Sequence, residues 1–255
     1  MRLRLLLDVD RGHNVFWQMA FDEALLELRS RGEIGDTLRL YIMNPHAVTV
    51  GRFQRLSEVV DMEAARRLGI DVTRRITGGG TVYHDPLGEI TYSIVVGAKG
   101  PFEDIEESFA IICRGVLEAV KLLGAHDAKY KPANDILVGG RKVSGSAQAR
   151  RRGALLQHGT LMYATRLEIL EEVLAPQIEL LRKKGYQGFR DRVTTLSKAL
   201  GRRFSKEEVV EALMEGFRKA LGADLIADEP SEKELRLAEE LEQRYRDSNW
   251  IFKKT

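Results

Sequence analysis

The chain has 255 residues, 44% of them hydrophobic, enough to bury a sizeable core as one large domain or two modest ones. Its 40 Lys and Arg nearly cancel its 38 Asp and Glu, and the net charge of +2 excludes a basic nucleic-acid coat or an acidic tail protein. The single Cys113 excludes an internal disulfide and a Cys-based zinc site. No apolar run approaches the roughly 20 residues that span a bilayer, and the leucine-rich start is too short for a signal peptide. The composition reads as cytoplasmic and globular.

In chain order, residues 14–31 carry Phe16, Met19, Ala20, Ala24 and Leu28 near helical spacing and predict an amphipathic helix. Strands are predicted at 38–42 and 47–50, with Asn44-Pro45 between them. A short helix at 61–68 ends at Gly69, and Asp71 to Thr73 can start a strand. Strands follow at 81–84 and 89–96, the second rich in β-branched residues. A long helix covers 105–123. Residues 135–138 and 141–146 flank Gly139-Gly140 as a tight hairpin, and 155–163 is strand-like. Ser205 with Glu208, and Ser231 with Glu234, have capping-box spacing ahead of two helices that end near Leu221 and Arg246. The order lacks regular βαβ alternation, so an α+β fold is expected, with mainly antiparallel sheets flanked by helices. Residues 1–255 read as one domain whose C-terminal part, about 200–250, is helical.

The strongest local signal is Arg74-Arg75-Ile76-Thr77-Gly78-Gly79-Gly80-Thr81-Val82-Tyr83-His84-Asp85. Three consecutive glycines cost backbone entropy on ordering, and they fit a backbone that approaches a ligand closely or presents N–H groups to an anion. Two arginines upstream supply charge-assisted donors for a phosphate or carboxylate. The bland alternative is a tight loop with surface arginines. The stretch is neither a P-loop nor a dinucleotide fingerprint, since both glycine spacings are missing.

The second signal runs from Asn134-Asp135-Ile136 to Gly140-Arg141-Lys142-Val143-Ser144-Gly145-Ser146-Ala147. Strand alternation would put Lys142, Ser144 and Ser146 on one polar face. Bare glycines around Lys142 suit a ligand cleft; a solvated edge strand is the alternative. From Lys129 to Arg152 there are seven Lys or Arg and one acid, Asp135, a local basic patch in a nearly neutral chain. The third signal is Gln157-His158-Gly159-Thr160, where His158 is a ligand contact or, by default, a hydrogen-bonded structural histidine. No His-Glu-x-x-His, clustered metal ligand set or Gly-x-Ser-x-Gly elbow occurs. Cys113, inside Phe109-Ala110-Ile111-Ile112-Cys113, reads as a buried small hydrophobe.

Together these three ordered motifs resemble the lipoate–protein ligase A family, within the biotin/lipoate ligase catalytic-domain superfamily. The helix around 14–27 and Asn44-Pro45 through Gly51-Arg52-Phe53-Gln54 also fit, as do Arg192-Val193 and Asn249-Trp250. The resemblance implies an ATP-dependent ligase that forms lipoyl-AMP and pyrophosphate, then transfers the lipoyl group to a lysine of an acceptor lipoyl domain. Acceptors would be 2-oxoacid dehydrogenase E2 subunits and the glycine cleavage H protein. It implies Lys142 as the catalytic cation. Arg75, Gly80, Thr81, Val82, Tyr83, Asn134 and Asp135 would bind ATP, with Asp135 a route to Mg²⁺. Gly78, Gly79, His84, Ser144, Ser146 and His158 would line the lipoate site.

Octanoyl- and lipoyl-transferases of the same fold are the alternative. They move the acyl group through a cysteine thioester near the Lys motif, where this chain has no cysteine. Biotin ligases carry a different glycine–arginine loop. A lipoate or nucleotide sensor is a further alternative; an RNA module is disfavoured because only Tyr130 is aromatic within the basic patch. No nucleic acid and no membrane partner is expected. Because the chain ends soon after Trp250, where the C-terminal accessory domain of many ligases would begin, either a separate small accessory subunit supplies that part or the catalytic domain works alone.

Overall fold

A computed structural model describes residues 1–132 and 134–253. Ala133, in the stretch ahead of the Lys142 motif, and the terminal Lys254 and Thr255 lie outside the described residues. The strands are β1 (Arg2–His13), β2 (Thr37–Met43), β3 (Ala47–Val50), β4 (Asp71–Arg74), β5 (Val82–His84), β6 (Glu89–Gly97), β7 (Lys129–Lys131), β8 (Asp135–Val138), β9 (Arg141–Arg151), β10 (Ala154–Met162) and β11 (Asp224–Ala227). Four long helices pack on them: α1 (Val15–Ser30), α2 (Ile105–Leu122), α3 (Lys206–Leu221) and α4 (Glu232–Arg246).

The large sheet has the order β11-β1-β2-β6-β10-β9-β8-β7, and a small sheet has the order β4-β3-β5. From β2 to β7 every pairing in the large sheet is antiparallel. Parallel pairs join β1 to β2 and to β11. The α+β expectation with mainly antiparallel sheets holds. The β8–β9 hairpin turns on Gly139 and Gly140 at φ 54° and 77°, a left-handed pair that side-chain-bearing residues adopt only with strain.

The caps explain the helix starts. The side chain of Asn14 accepts from the Trp17 N–H to open α1, and Ser231 and Glu234 close a complete capping box at α4. One face of the large sheet packs against α2 and α3, burying Leu40, Tyr92, Ile94 and Leu155 against Ile112, Val116, Leu213 and Phe217. The opposite face packs against α1, which is covered in turn by α4. Lying between two layers, α1 buries its polar residues as well. Glu23, 1% exposed, therefore accepts from Tyr245 Oη at 2.7 Å and from Arg244. The small sheet sits beside the α1 face, and Val48, Val50 and Val72 pack with Met19, Tyr41, Leu170 and Leu174.

Two parts differ from expectation. The first strand, β1, is absent from the sequence reading, although Leu3 and Leu5 alternate inward. Residues 167–200 contain four short α-helical pieces, Leu167–Val173, Ile178–Lys183, Phe189–Arg192 and Leu196–Leu200, and a 3-10 turn at Ala175–Gln177, each too short for a clear period. Among the described residues no helix is long and apolar enough to cross a membrane.

Candidate acyl-transfer site

The space between the large sheet and the small one is a cavity of about 360 Å³. That lies at the lower end of the range for small-molecule sites. Its inner wall is apolar, with Met19, Met43, Met162, Leu170, Leu174 and Phe189. Polar groups gather elsewhere on its lining: Thr49, His84, Thr91, His158, Asn134, Asp135, Lys142 and Arg192. All three sequence motifs reach it. Gly79, Gly80, Thr81, Val82, Tyr83 and His84 form one wall, while Gly78 lines only an outer groove beside Ile105 and Phe109.

Lys142 is the cation of the site. Its Nζ lies 2.6 Å from Asp135 Oδ1, and its side chain is about one-fifth exposed, at 22%. Burial pushes the ammonium below the usual lysine range, against the pull of Asp135, and Arg192 and Arg75 add to the depression. The backbone explains its aim. Ile136 pairs with Ser144 but Leu137 pairs with Lys142, so Val143 is the extra residue of a β-bulge. The bulge reverses alternation. Lys142 shares a face with Gly145, whose missing side chain leaves room for the ammonium and for Asp135 Oδ1. Ser146 instead turns to α2, where its Oγ lies 3.4 Å from Cys113 Sγ and 3.3 Å from Gln157 Nε2. The expected polar row of Lys142, Ser144 and Ser146 is therefore corrected. The two serine side chains lie on the other face; Ser146 still borders the cavity, while Ser144 is buried outside its lining.

Arg74 and Arg75 also differ from the expected anion-binding pair. Arg74 is fully buried and donates to the carbonyls of Gly51, Arg52, Gln54, Trp250 and Ile251. Arg75 lines the cavity, yet each guanidinium N–H finds an acceptor in the protein. Nε donates to Thr77 Oγ1 at 2.9 Å, Nη1 to Thr49 O and Oγ1 at 3.1 and 3.4 Å, and Nη2 to Gly78 O and Gly80 O at 2.6 Å each. Burial lowers its pKa to about 10.

His158 is wired into the fold. Its Nδ1 faces Asp22 Oδ2 at 2.9 Å and its Nε2 faces Thr77 Oγ1 at 2.7 Å. Burial pushes its pKa down, only partly offset by Asp22. Burial alone would raise Asp22, but His158, Arg39 and Ser93 together hold it below the usual carboxylate value. His84 is held likewise, Nδ1 to Glu89 Oε1 at 2.7 Å and Nε2 to Thr49 Oγ1 at 2.9 Å. The sequence reading missed Asp22, Glu89, Thr49, Gln177 and the methionines. The signal for Asp22 was a charge on the apolar face of a helix; the others carry no local pattern.

Asp135, the expected route to Mg²⁺, is ion-paired with Lys142, and among the described residues no group of three or more His, Cys, Asp or Glu comes together. Cys113 is 1% exposed and behind the sheet from Lys142, and burial pushes its thiol pKa up.

The family model for the lipoyl protein ligase A/B catalytic domain matches residues 14–218. Octanoyltransferase LipM of Kyrpidia tusciae is 36% identical, with 98% of both chains covered. Among solved structures, a bipartite lipoate protein ligase from Thermoplasma acidophilum, described with its E2 lipoyl domain, superposes with a TM-score of 0.86. It is 32% identical, covering 100% of this chain and 98% of that one. A lipoate-protein ligase A bound with ATP superposes with a TM-score of 0.85 at 31% identity, with both chains fully covered. The curated relatives carry the name octanoyltransferase, and they overturn the expectation of an ATP-dependent, AMP- and pyrophosphate-forming ligase. Transfer of an octanoyl group already activated by its donor needs no adenylate. On the match over most of its length, the chain belongs to the lipoyl protein ligase A/B catalytic-domain family.

Proposed function

We propose that the chain, as one cytoplasmic catalytic domain, transfers an octanoyl- or lipoyl-type acyl group from a donor thioester to a lysine of a lipoyl-domain protein. The observation that carries this reading is the Lys142 ammonium on the lining of a cavity that also presents Met19, Met43, Met162, Leu170, Leu174 and Phe189. The names of the relatives and the E2 lipoyl domain of the Thermoplasma system support the acyl group and the acceptor.

The acyl chain lies among Met19, Met43, Met162, Leu170 and Leu174, which exclude water from it. Its carbonyl carbon faces Lys142. The acceptor amine attacks that carbon, the C–N bond forms and the C–S bond breaks. The proton lost by the amine leaves with the departing thiolate as a thiol. Lys142 stabilises the negative charge that develops on the carbonyl oxygen, a contribution worth about 10²–10³ in kcat for one such donor. Gly80 to Tyr83, Asn134 and Asp135 shape the cavity mouth, and Gly79, His84 and His158 its wall. Cys113 is sealed away from the cavity, so the reading is a direct transfer with no acyl-cysteine intermediate.

The test is incubation of the purified chain with an octanoyl-carrier thioester and a lipoyl-domain acceptor, read by the acceptor's mass, beside Lys142→Ala. Octanoylated acceptor that disappears in the variant is the expected result. Product formed from free lipoate and ATP but not from the thioester refutes the reading. Bound acid with no transfer from any donor would point to a sensor. Product that appears only after a second subunit is added would establish the separate accessory chain.

A further inference from the structure

The glycine loop and the two histidines beside it are joined through one guanidinium. We propose that Thr77 and Thr49 are positioning residues for acyl-chain binding, held in one orientation by two buried histidine–carboxylate pairs and together clamping Arg75, which in turn shapes the loop from Gly78 to Gly80. The inference rests on reading the cavity as the acyl site.

The argument follows the protons. Asp22 Oδ2 accepts from His158 Nδ1, so His158 Nε2 carries a lone pair. That lone pair takes the single hydroxyl proton of Thr77 at 2.7 Å. The oxygen of Thr77 is left as an acceptor and receives Arg75 Nε–H at 2.9 Å. With His84 in its neutral form, the second relay has the same polarity. Glu89 Oε1 accepts from His84 Nδ1, His84 Nε2 accepts from Thr49, and Thr49 Oγ1 accepts from Arg75 Nη1. The carboxylates come from different elements, Asp22 from α1 and Glu89 from β6.

Held from both sides, Arg75 has its Nη2 left for the loop, and it takes Gly78 O and Gly80 O at 2.6 Å each. A trans peptide sets its N–H opposite its carbonyl. Turning these two carbonyls toward Arg75 therefore turns the N–H groups of Gly79 and Thr81 away from it. Gly79 sits at φ +85°, and a Cβ there would come within 3.1 Å of Arg75 Nη2, so the clamp and the glycine require each other. Thr77, Asp22 and Glu89 stay outside the cavity lining, so they act through Arg75 and the two histidines; Thr49 holds Arg75 and also borders the cavity.

Thr77→Val removes the hydroxyl at constant shape and leaves buried groups unpaired, while Thr77→Ser restores the hydroxyl. Two readouts separate the clamp from the proposed reaction. Hydrogen exchange of residues 76–84 in the ligand-free protein should speed up in Thr77→Val and return to the wild-type rate in Thr77→Ser. Calorimetric Kd values for octanoate and lipoate should weaken about tenfold in the Val variant and recover to within about twofold in the Ser variant. Unchanged exchange in Thr77→Val, or equal loss in both variants, overturns the clamp. If exchange responds as expected but wild-type protein binds neither acid, the clamp stands and the acyl reading of the cavity falls.

Discussion

Gly145→Ala is the most discriminating single change at this site. The backbone there is not left-handed, so alanine costs no dihedral strain. The added methyl would overlap Lys142 Nζ and Cε and lie 3.3 Å from Asp135 Oδ1. The overlap is with the far end of a flexible side chain, so the ammonium gives way rather than the sheet. A displacement of about 1 Å stretches the 2.6 Å contact with Asp135 past hydrogen-bond length. A misplacement of about 1 Å at the reacting centre costs on the order of 10²-fold in rate. Stability should change by less than about 1 kcal/mol, because the stretched Lys142–Asp135 pair stays partly open to solvent and the unfolded chain loses freedom. Acyl transfer to a lipoyl-domain acceptor, followed by mass, should therefore fall about 100-fold while the thermal midpoint stays near wild type. A rate within about threefold of wild type would refute the placement of Lys142 over Gly145 as the basis of catalysis. A large loss of stability would refute the claim that the side chain alone gives way.

Other expectations concern the residues around this centre. Cys113→Ser should retain the transfer rate, since the thiol lies behind the sheet with its proton held on; loss of activity in a folded variant would establish an acyl-cysteine step instead. Arg74→Met should destabilise the protein by roughly 3 kcal/mol or more, as five backbone carbonyls lose a buried donor, and a denaturant midpoint near wild type would contradict this. The pH dependence follows from His158 and Asp22. His158 titrates below its ordinary 6.5 in the folded state, so its contribution is full above that pH and is lost as pH falls toward the folded value. Asp22, held below 3.8, adds its loss only as pH drops below 3.8 and through its folded value. Thermal midpoints should fall below pH 6.5, and His158→Asn should flatten that limb; an unchanged slope would remove His158 as its source.

The site was legible where chemistry is written in contiguous residues. Gly79, Gly80, Lys142 and His158 meet at one cavity because each lies on a strand or strand-flanking loop whose pattern could be read. What misled was parity. One extra residue, Val143, sends Ser144 and Ser146 to the other face, and within residues 141–147 only Gly145 hints at a bulge. The arginines were read as donors to a ligand because a sequence cannot show that Thr49, Gly78 and Gly80 offer carbonyls first. The helices with capping signals were found nearly to the residue. The short pieces that bring Leu170, Leu174 and Phe189 to the cavity have too few turns to produce a period. Cys113 was read correctly as buried; its proximity to the Lys142 strand arises only when α2 crosses that strand.

The contacts of Arg74 also bear on how the molecule opens. Beside them, Thr73 Oγ1 donates to Tyr245 O at 2.7 Å and Trp250 Nε1 donates to Arg74 O at 2.7 Å. One short strand thus grips the end of α4, the residues after it and the turn at 51–54. The residues after α4 and the turn at 51–54 cannot detach without stripping a buried guanidinium of its acceptors, and the end of α4 is tied to the same strand through Thr73, so they form a single cooperative unit of local unfolding. Because Arg75 is the next residue along, the fluctuations that would admit a protease at the C-terminal segment are the same ones that would slacken the glycine loop. Protection of that segment from cleavage is therefore a remote gauge of whether the site is assembled.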